Sequence, residues 1–223
     1  LWTSGITGPP PLASAPAPVA DVSAWHVGLR TADGLIRIRL RAAATVSVAN
    51  VRAVLSSGLG AAGTAAPVVD AAQPVRSGLR FYRAEPVPER WGSTLWPDNY
   101  NGGRWGPPYA LLQGSFMPNG FHAKASWKAE ADRGSGAHPV IRRGMVAWAG
   151  GAGGPDFFIG LARHPEWGTG HTVWGEVIGD DMKVVDAVMS RELVVRNWGA
   201  INATELVVPV PFALVPGPGL EDE

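Results

Sequence analysis

The sequence predicts a mainly β protein, a closed or nearly closed barrel with two helices capping its ends. Three observations carry that expectation. Short apolar segments alternating at a period of two recur along the chain, separated by turn-rich stretches. Only two segments, far apart, carry the 3.6-residue period of a helix. Glycine (29) and proline (20) are both abundant, which suits many turns and short strands.

The elements follow in chain order. Residues 25–31 and 35–40 read as two arms of a hairpin closed at Ala32-Asp33-Gly34. In the second arm Ile36, Ile38 and Leu40 share one face while Arg37 and Arg39 take the other. Thr45 can cap a helix running to about Leu55, with Val48, Val51 and Leu55 on its apolar side and Gly58 as its stop. Residues 56–78 are small and polar and read as a loop. Residues 80–84 form a short strand. Residues 85–108 form a Pro/Gly/Trp-rich excursion, long enough to suggest an insertion. Further strands are expected at 109–113, 141–149, 157–161 and 171–178. Asp180 or Asp181 then caps a second helix that buries Met182, Val185, Val188 and Met189. A last strand covers 206–210, and a Pro/Gly and acidic tail occupies 213–223.

Composition narrows the function. Lys+Arg and Asp+Glu stand equal at 19 each, so the chain carries no electrostatic footprint for nucleic acid or an anionic membrane. Without cysteine there is no disulfide, thiol nucleophile or Cys-based zinc site. No apolar run reaches membrane-spanning length. The 46% hydrophobic fraction supports one substantial core in a domain spanning 22–212. Ahead of it, residues 1–21 include Gly8-Pro9-Pro10-Pro11 and Ala15-Pro16-Ala17-Pro18, which favour a stiff extended arm. A chain that starts at Leu1 reads as processed, or as part of something longer. With the Asn202-Ala203-Thr204 sequon, the expectation is a secretory or Golgi-lumenal domain anchored upstream, with an organellar location as the alternative.

The most informative stretch is Trp148-Ala149-Gly150-Gly151-Ala152-Gly153-Gly154-Pro155-Asp156-Phe157-Phe158-Ile159. A Gly-rich loop runs straight into a strand, whose alternation sends one phenylalanine into a core while its neighbour lines a pocket. The loop lacks the Lys-Ser/Thr of a phosphate loop and does not open a helix, which disfavours nucleotides. His122, His138 and His164 show no metal-ligand spacing. Trp91, Trp96 and Trp105 lie in one loop and could offer a flat stacking surface for sugar or Pro-rich peptide, or fold down over the barrel.

Four separated pieces line up in order. They are Phe81-Tyr82-Arg83, then Ala110-Leu111-Leu112-Gln113-Gly114, then the Gly-rich loop with Phe157-Phe158-Ile159, then Trp167 with His171-Thr172-Val173-Trp174-Gly175. The last leads into Val177 and Met182-Lys183-Val184-Val185-Asp186. This order over roughly residues 22–191 resembles the cyclophilins, peptidyl-prolyl cis-trans isomerases built on a closed eight-stranded β-barrel capped by two α-helices. The resemblance implies an isomerase acting on X-Pro bonds of protein substrates, without cofactor or metal. Arg83, beside Phe81, would be the donor to the prolyl nitrogen. Phe158 would line the ring slot, with Met145 to Ala149 nearby. Gln113 would orient Arg83 or a substrate carbonyl, and Trp167 and His171 would form the far rim. Read singly, Arg83 also fits a solvated strand arginine, Phe158 core packing, His171 a structural hydrogen-bonder and Trp167 plain packing.

Departures from the family pattern point to reduced activity. Gly150 and Asp156 stand at substrate-binding positions where the family carries Asn and Gln, and Gly168 replaces an apolar residue. The Gly-rich loop is shorter, and the link from the Arg strand to the Gln strand is stretched into 85–108. Two other readings therefore stay open. One is a non-catalytic cyclophilin-like subunit docking in a larger assembly through Trp91, Trp96, Trp105 and the N-terminal arm. The other is a carbohydrate-binding module using exposed tryptophans.

Overall fold

A computed structural model describes residues 26–56, 79–92, 105–116, 132, 136–151 and 153–218. The N-terminal arm, Gly58 and Trp96 lie outside the described residues. Ten antiparallel strands form one sheet with two α-helices. The strands are β1 (Val27–Thr31), β2 (Gly34–Leu40), β3 (Arg80–Glu85), β4 (Leu111–Ser115), β5 (Met145–Trp148), β6 (Asp156–Gly160), β7 (Val173–Val177), β8 (Leu193–Asn197), β9 (Asn202–Pro211) and β10 (Ala213–Pro216). The helices are α1 (Thr45–Ser56) and α2 (Met182–Met189).

The sheet order is β10-β1-β2-β7-β5-β6-β4-β3-β9-β8. Among the described residues no ladder joins β10 to β8, so hydrogen bonds do not close the sheet into the expected barrel. Both end strands are additions to the eight expected from the sequence. β8 shows no in-out alternation, being half-buried and then exposed along its length. β10 occupies the first four residues of the expected tail, between Pro211 and Pro216, and pairs with β1. The expected strand at 141–149 shortens to β5, with Ile141 making a lone bridge to His164.

Period-two alternation builds the main core. Ile36, Ile38 and Leu40 of β2 face inward, as do Phe81, Leu112, Val146, Trp148, Phe157, Ile159 and Trp174. Phe116 sits at the centre of an aromatic cluster, stacked on Phe157 at 4.5 Å between ring centroids and within 6.2 Å of Trp148, Trp174 and Phe212. Offset and edge contacts of this kind add to the burial of large rings. Gly114 belongs to this face because a Cβ there would lie 3.0 Å from Phe81 and 3.1 Å from Phe157.

Both helices start beside a carboxylate, though neither cap is made as expected. Thr45 is not the cap of α1. Buried Asp132 accepts the amides of Val46 and Ser47, each at 3.0 Å, and so satisfies the otherwise orphaned donors of the first turn. Asp181 makes no side-chain cap for α2. It instead accepts the backbone N–H and the guanidinium of Arg37, at 2.7–2.8 Å, which fastens the start of α2 to β2. No helix among the described residues is long and apolar enough to cross a membrane.

Candidate functional site

The face of the sheet opposite the main core carries a second cluster. Cross-strand register places Arg83 beside Gln113, Gln113 beside Phe158, Phe158 beside Ala147 and Ala147 beside Val173. Directly opposed residues in antiparallel strands project to the same side. One row therefore crosses β3, β4, β6, β5 and β7, polar at one end and apolar at the other. Phe158, Ala147, Val173, Met145, Leu111, Ile141 and Tyr109 form the apolar part, with Ala149, Trp167 and Ile201 packed against it. Phe157, the next residue, points into the main core, so the adjacent phenylalanines divide as the alternation predicts.

The polar end is organised around the Arg83 guanidinium. Its Nε donates to Glu85 at 2.6 Å and a terminal nitrogen donates to Gln113 Oε1 at 3.1 Å. The Gln113 amide donates from Nε2 to the Tyr82 hydroxyl at 2.5 Å. Arginine has donors only, so the Gln113 oxygen must face it. Burial, with the Asp156 charge nearby, pushes the Tyr82 phenol above its ordinary value, so it stays neutral and accepts that bond. Fully buried Glu85 also accepts the backbone N–H of Tyr109, which ties β3 to the approach of β4. The guanidinium carbon lies over the rings of Tyr109 (5.7 Å to the centroid) and Trp198 (4.9 Å).

At the apolar end, Phe158 makes edge contacts with Trp167 (5.5 Å) and His171 (5.2 Å). Trp167 closes a 3-10 turn, Pro165–Trp167, and stacks on His164 at 3.9 Å and 7°. The fully buried His164 ring is fixed by Glu166 on Nδ1 (2.8 Å) and the Ala110 carbonyl near Nε2 (3.3 Å). His171 Nδ1 lies 3.0 Å from the Trp148 carbonyl. Burial lowers the His171 pKa, so its neutral ring donates from Nδ1 and leaves Nε2 as an acceptor.

Of the residues singled out in the sequence, Arg83, Gln113, Phe158, Met145, Ala149, Trp167 and His171 come together on this face. Phe81 does not. It is fully buried in the main core, 5.0 Å from the Phe212 ring. Strand alternation would put residues 81 and 83 on one side, but the register slips between them. Tyr82 is the extra residue of a β-bulge, and the bulge turns Phe81 inward and Arg83 outward. Gly150 is an exposed turn residue with φ of 83°. Asp156 starts β6 opposite Ser115, and its charge acts on Tyr82.

Of the three tryptophans in the 85–108 excursion, Trp91 and Trp105 are described. Trp91 meets Trp105 edge-on at 83° and His164 edge-on at 74°, and its indole N–H donates to the Arg163 carbonyl. These two rings stand perpendicular and part-buried, so the pair by itself makes no flat surface. The residues not anticipated are Glu85, Tyr82, Tyr109, His164, Trp198 and Ile201. Glu85 had a local signal, since opposite charges two apart on a strand share a face. Trp198 and Ile201 had none, because only tertiary structure brings their turn over β3.

Among the described residues no cluster of His, Cys, Asp or Glu could hold a metal ion. The site offers a fixed cationic donor at one end of an apolar, aromatic-walled strip.

No protein-family model and no curated protein matches the sequence. Solved structures do. A cyclophilin-type peptidyl-prolyl cis-trans isomerase of Cryptosporidium parvum is 12% identical over 86% of this chain and 96% of its own, with a TM-score of 0.50. The same protein in the presence of the dipeptide Ala-Pro aligns with a TM-score of 0.46, at 12% identity over 86% of this chain and 98% of its own. The cyclophilin AquaCyp293 from Hirschia baltica gives 0.39, at 14% identity over 86% of this chain and 73% of its own. At such identities the first of these speaks for architecture alone, and the fold is cyclophilin-like.

Proposed function

We propose that the outer-face row binds proline-containing polypeptide segments and catalyses cis–trans isomerisation of X-Pro bonds. The observation that carries this reading is the direct adjacency of Arg83, Gln113 and Phe158 across three strands. An amide resists rotation because of its partial double bond, with a barrier of ~18–20 kcal/mol. Isomerisation needs no nucleophile. It needs a grip on the pyrrolidine ring and a donor to the prolyl nitrogen as its lone pair localises in the twisted state. Phe158, Met145 and Ala147 supply apolar surface for the ring. Arg83 supplies a guanidinium donor, held by Glu85 and Gln113.

Exchange spectroscopy on a short peptide with one Ala-Pro bond tests this. Arg83→Ala should lower kcat/KM by roughly 10²–10³, the usual loss when a transition-state donor is removed. Equal rates in wild type and Arg83→Ala would defeat the catalytic assignment. A second reading is a non-catalytic cyclophilin-like subunit, favoured by one fact: Arg83 is only 9% exposed. Peptide binding without rate enhancement in either protein would select it.

A further inference from the structure

Arg83 is covered by Tyr109 and, from another part of the chain, by Trp198. β8 and β9 form a hairpin whose turn, residues 198–201, folds back over the outer face. Trp198 covers one face of the guanidinium, and Ile201 packs into the apolar cluster that contains Phe158, Met145 and Ala147. The two tip residues thus cover the polar and apolar halves of the same row. Phe158, which also meets Trp167 and His171, is 2% exposed and Met145 1%. An apolar side chain packed into the cluster that holds Phe158, and an aromatic ring against Arg83, stand where the proline-binding reading puts a proline ring and its flanking amide.

The tip is shaped for this position. Trp198 N–H donates to the Ile201 carbonyl at 2.8 Å, and the Asn197 side chain accepts the Gly199 amide at 2.7 Å. The Trp198 indole N–H donates to Glu205 at 2.6 Å, while Arg196 holds the other Glu205 oxygen at 3.0 Å. Attachment to the rest of the sheet is weaker. The ladder with β3 ends at the pair Arg83–Glu205, and residues 202–204 pair only with β8. β8 itself is an edge strand among the described residues. Trp198 remains 43% exposed although it lies on the guanidinium. Between the tip and Glu205, Ala203 and Thr204 are buried but lie outside the β3 ladder, so side-chain packing rather than strand hydrogen bonds to β3 holds the tip against the row.

Building on the proline-binding reading, we infer that Trp198 and Ile201 are an intramolecular occupant of the site, and that an X-Pro segment binds by displacing them. A ligand that needs a minor open state loses apparent affinity in proportion to that state's population. An open population of ~0.1–10% corresponds to a ~10- to 1000-fold weakening, which removal of the occupant should restore.

The test compares wild type with Trp198→Ala, Ile201→Ser and the double variant. Two measurements are made: the rate at which phenylglyoxal labels Arg83, read by mass spectrometry of fragments, and calorimetric affinity for a blocked Ala-Pro peptide. The expected result is Arg83 labelling at least about tenfold faster in the double variant and affinity raised at least about tenfold. In wild type, saturating peptide should speed hydrogen exchange at the Trp198 amide. Labelling unchanged by the substitutions overturns the occupancy. Faster labelling with unchanged or weaker affinity overturns the competition and makes the tip a wall of the site. Faster labelling with no peptide bound by any form overturns the proline reading and the displacement together, a pattern distinct from the other two.

Discussion

The two faces of the strands around β6 share one backbone and differ in what they bury. The inner face carries Phe81, Gly114, Phe157 and Trp148 in register, and its rings pack against one another. Its one described indole partner is Ser47, which accepts the Trp148 N–H at 2.8 Å. The outer face carries Arg83, Gln113, Phe158 and Ala147 in the neighbouring register, and half of it is polar. Both rows are buried, yet of the two only the outer one carries a charged side chain, Arg83, held by Glu85 and Gln113. Burying a charge without such a partner is costly. The difference teaches that the inner face is committed to stability, while the outer face holds donors in place beside an apolar strip.

The neighbouring phenylalanines give the largest test of that division. Phe157→Ala should cost about 3–5 kcal/mol, since it opens a cavity in the aromatic cluster that its neighbours cannot collapse to fill. Phe158→Ala should cost less, about 1.5–3 kcal/mol, because Phe158 belongs to the smaller outer cluster, bordered by the part-buried Trp167 and His171. The functional effects should run the other way. A folded Phe158→Ala protein should lose X-Pro binding, whereas Phe157→Ala, studied below its melting point, should keep it. Urea unfolding and peptide titration on both variants check the crossing. Parallel losses in both measurements would erase the distinction between the faces.

How far the chain could be read in advance follows the same division. Inner-face alternation in β2 was legible because apolar and charged residues repeat at a period of two, whereas in β6 only the Phe-Phe-Ile run marked a strand. The bulge at Tyr82 was not, since nothing in Phe81-Tyr82-Arg83 marks an extra residue. That single slip moved Phe81 out of the expected site. β8 and β10 were missed because both are short, partly exposed and lack clean alternation, and they are the strands that leave the sheet open. In the site, Arg83, Gln113 and Phe158 could be found from order along the chain. Glu85, Trp198 and Ile201 act through contacts set by register and by the hairpin's fold-back, which local sequence does not encode.

Glu85 gives a sharper and smaller test, because it separates holding a donor from merely burying a pair. Glu85→Gln keeps an acceptor for the Tyr109 amide and removes the charge facing Arg83. The expected loss is about 1.5–3 kcal/mol of stability, the range for a hydrogen bond to a charged group. As a positioning residue, Glu85 should also affect turnover, with kcat falling and KM little changed. Restoration by Glu85→Asp of part of kcat, at unchanged KM, would mark orientation of the guanidinium. A drop in stability with kcat intact would reduce Glu85 to a structural role.

The smallest effect comes from His171, where the apolar end of the row meets solvent pH. Its surroundings are Phe158 and Trp167 as ring neighbours, the Trp148 carbonyl, and the nearby Glu166, His164 and His138. Burial, the largest influence, lowers its folded pKa below the ordinary 6.5. In the interval between those two values the unfolded chain binds more protons at this residue than the folded one. Stability therefore rises with pH across that interval. The His171 contribution should be complete above about 6.5 and shrink as pH falls toward the lower folded value. His171→Asn keeps a donor for the Trp148 carbonyl and cannot titrate. Unfolding free energies at pH 7.5 and pH 5.5 should therefore differ less in the variant than in wild type. Identical pH slopes would mean that the His171 ring is solvated enough to titrate normally, and that the apolar end of the outer face is less dry than the inner one.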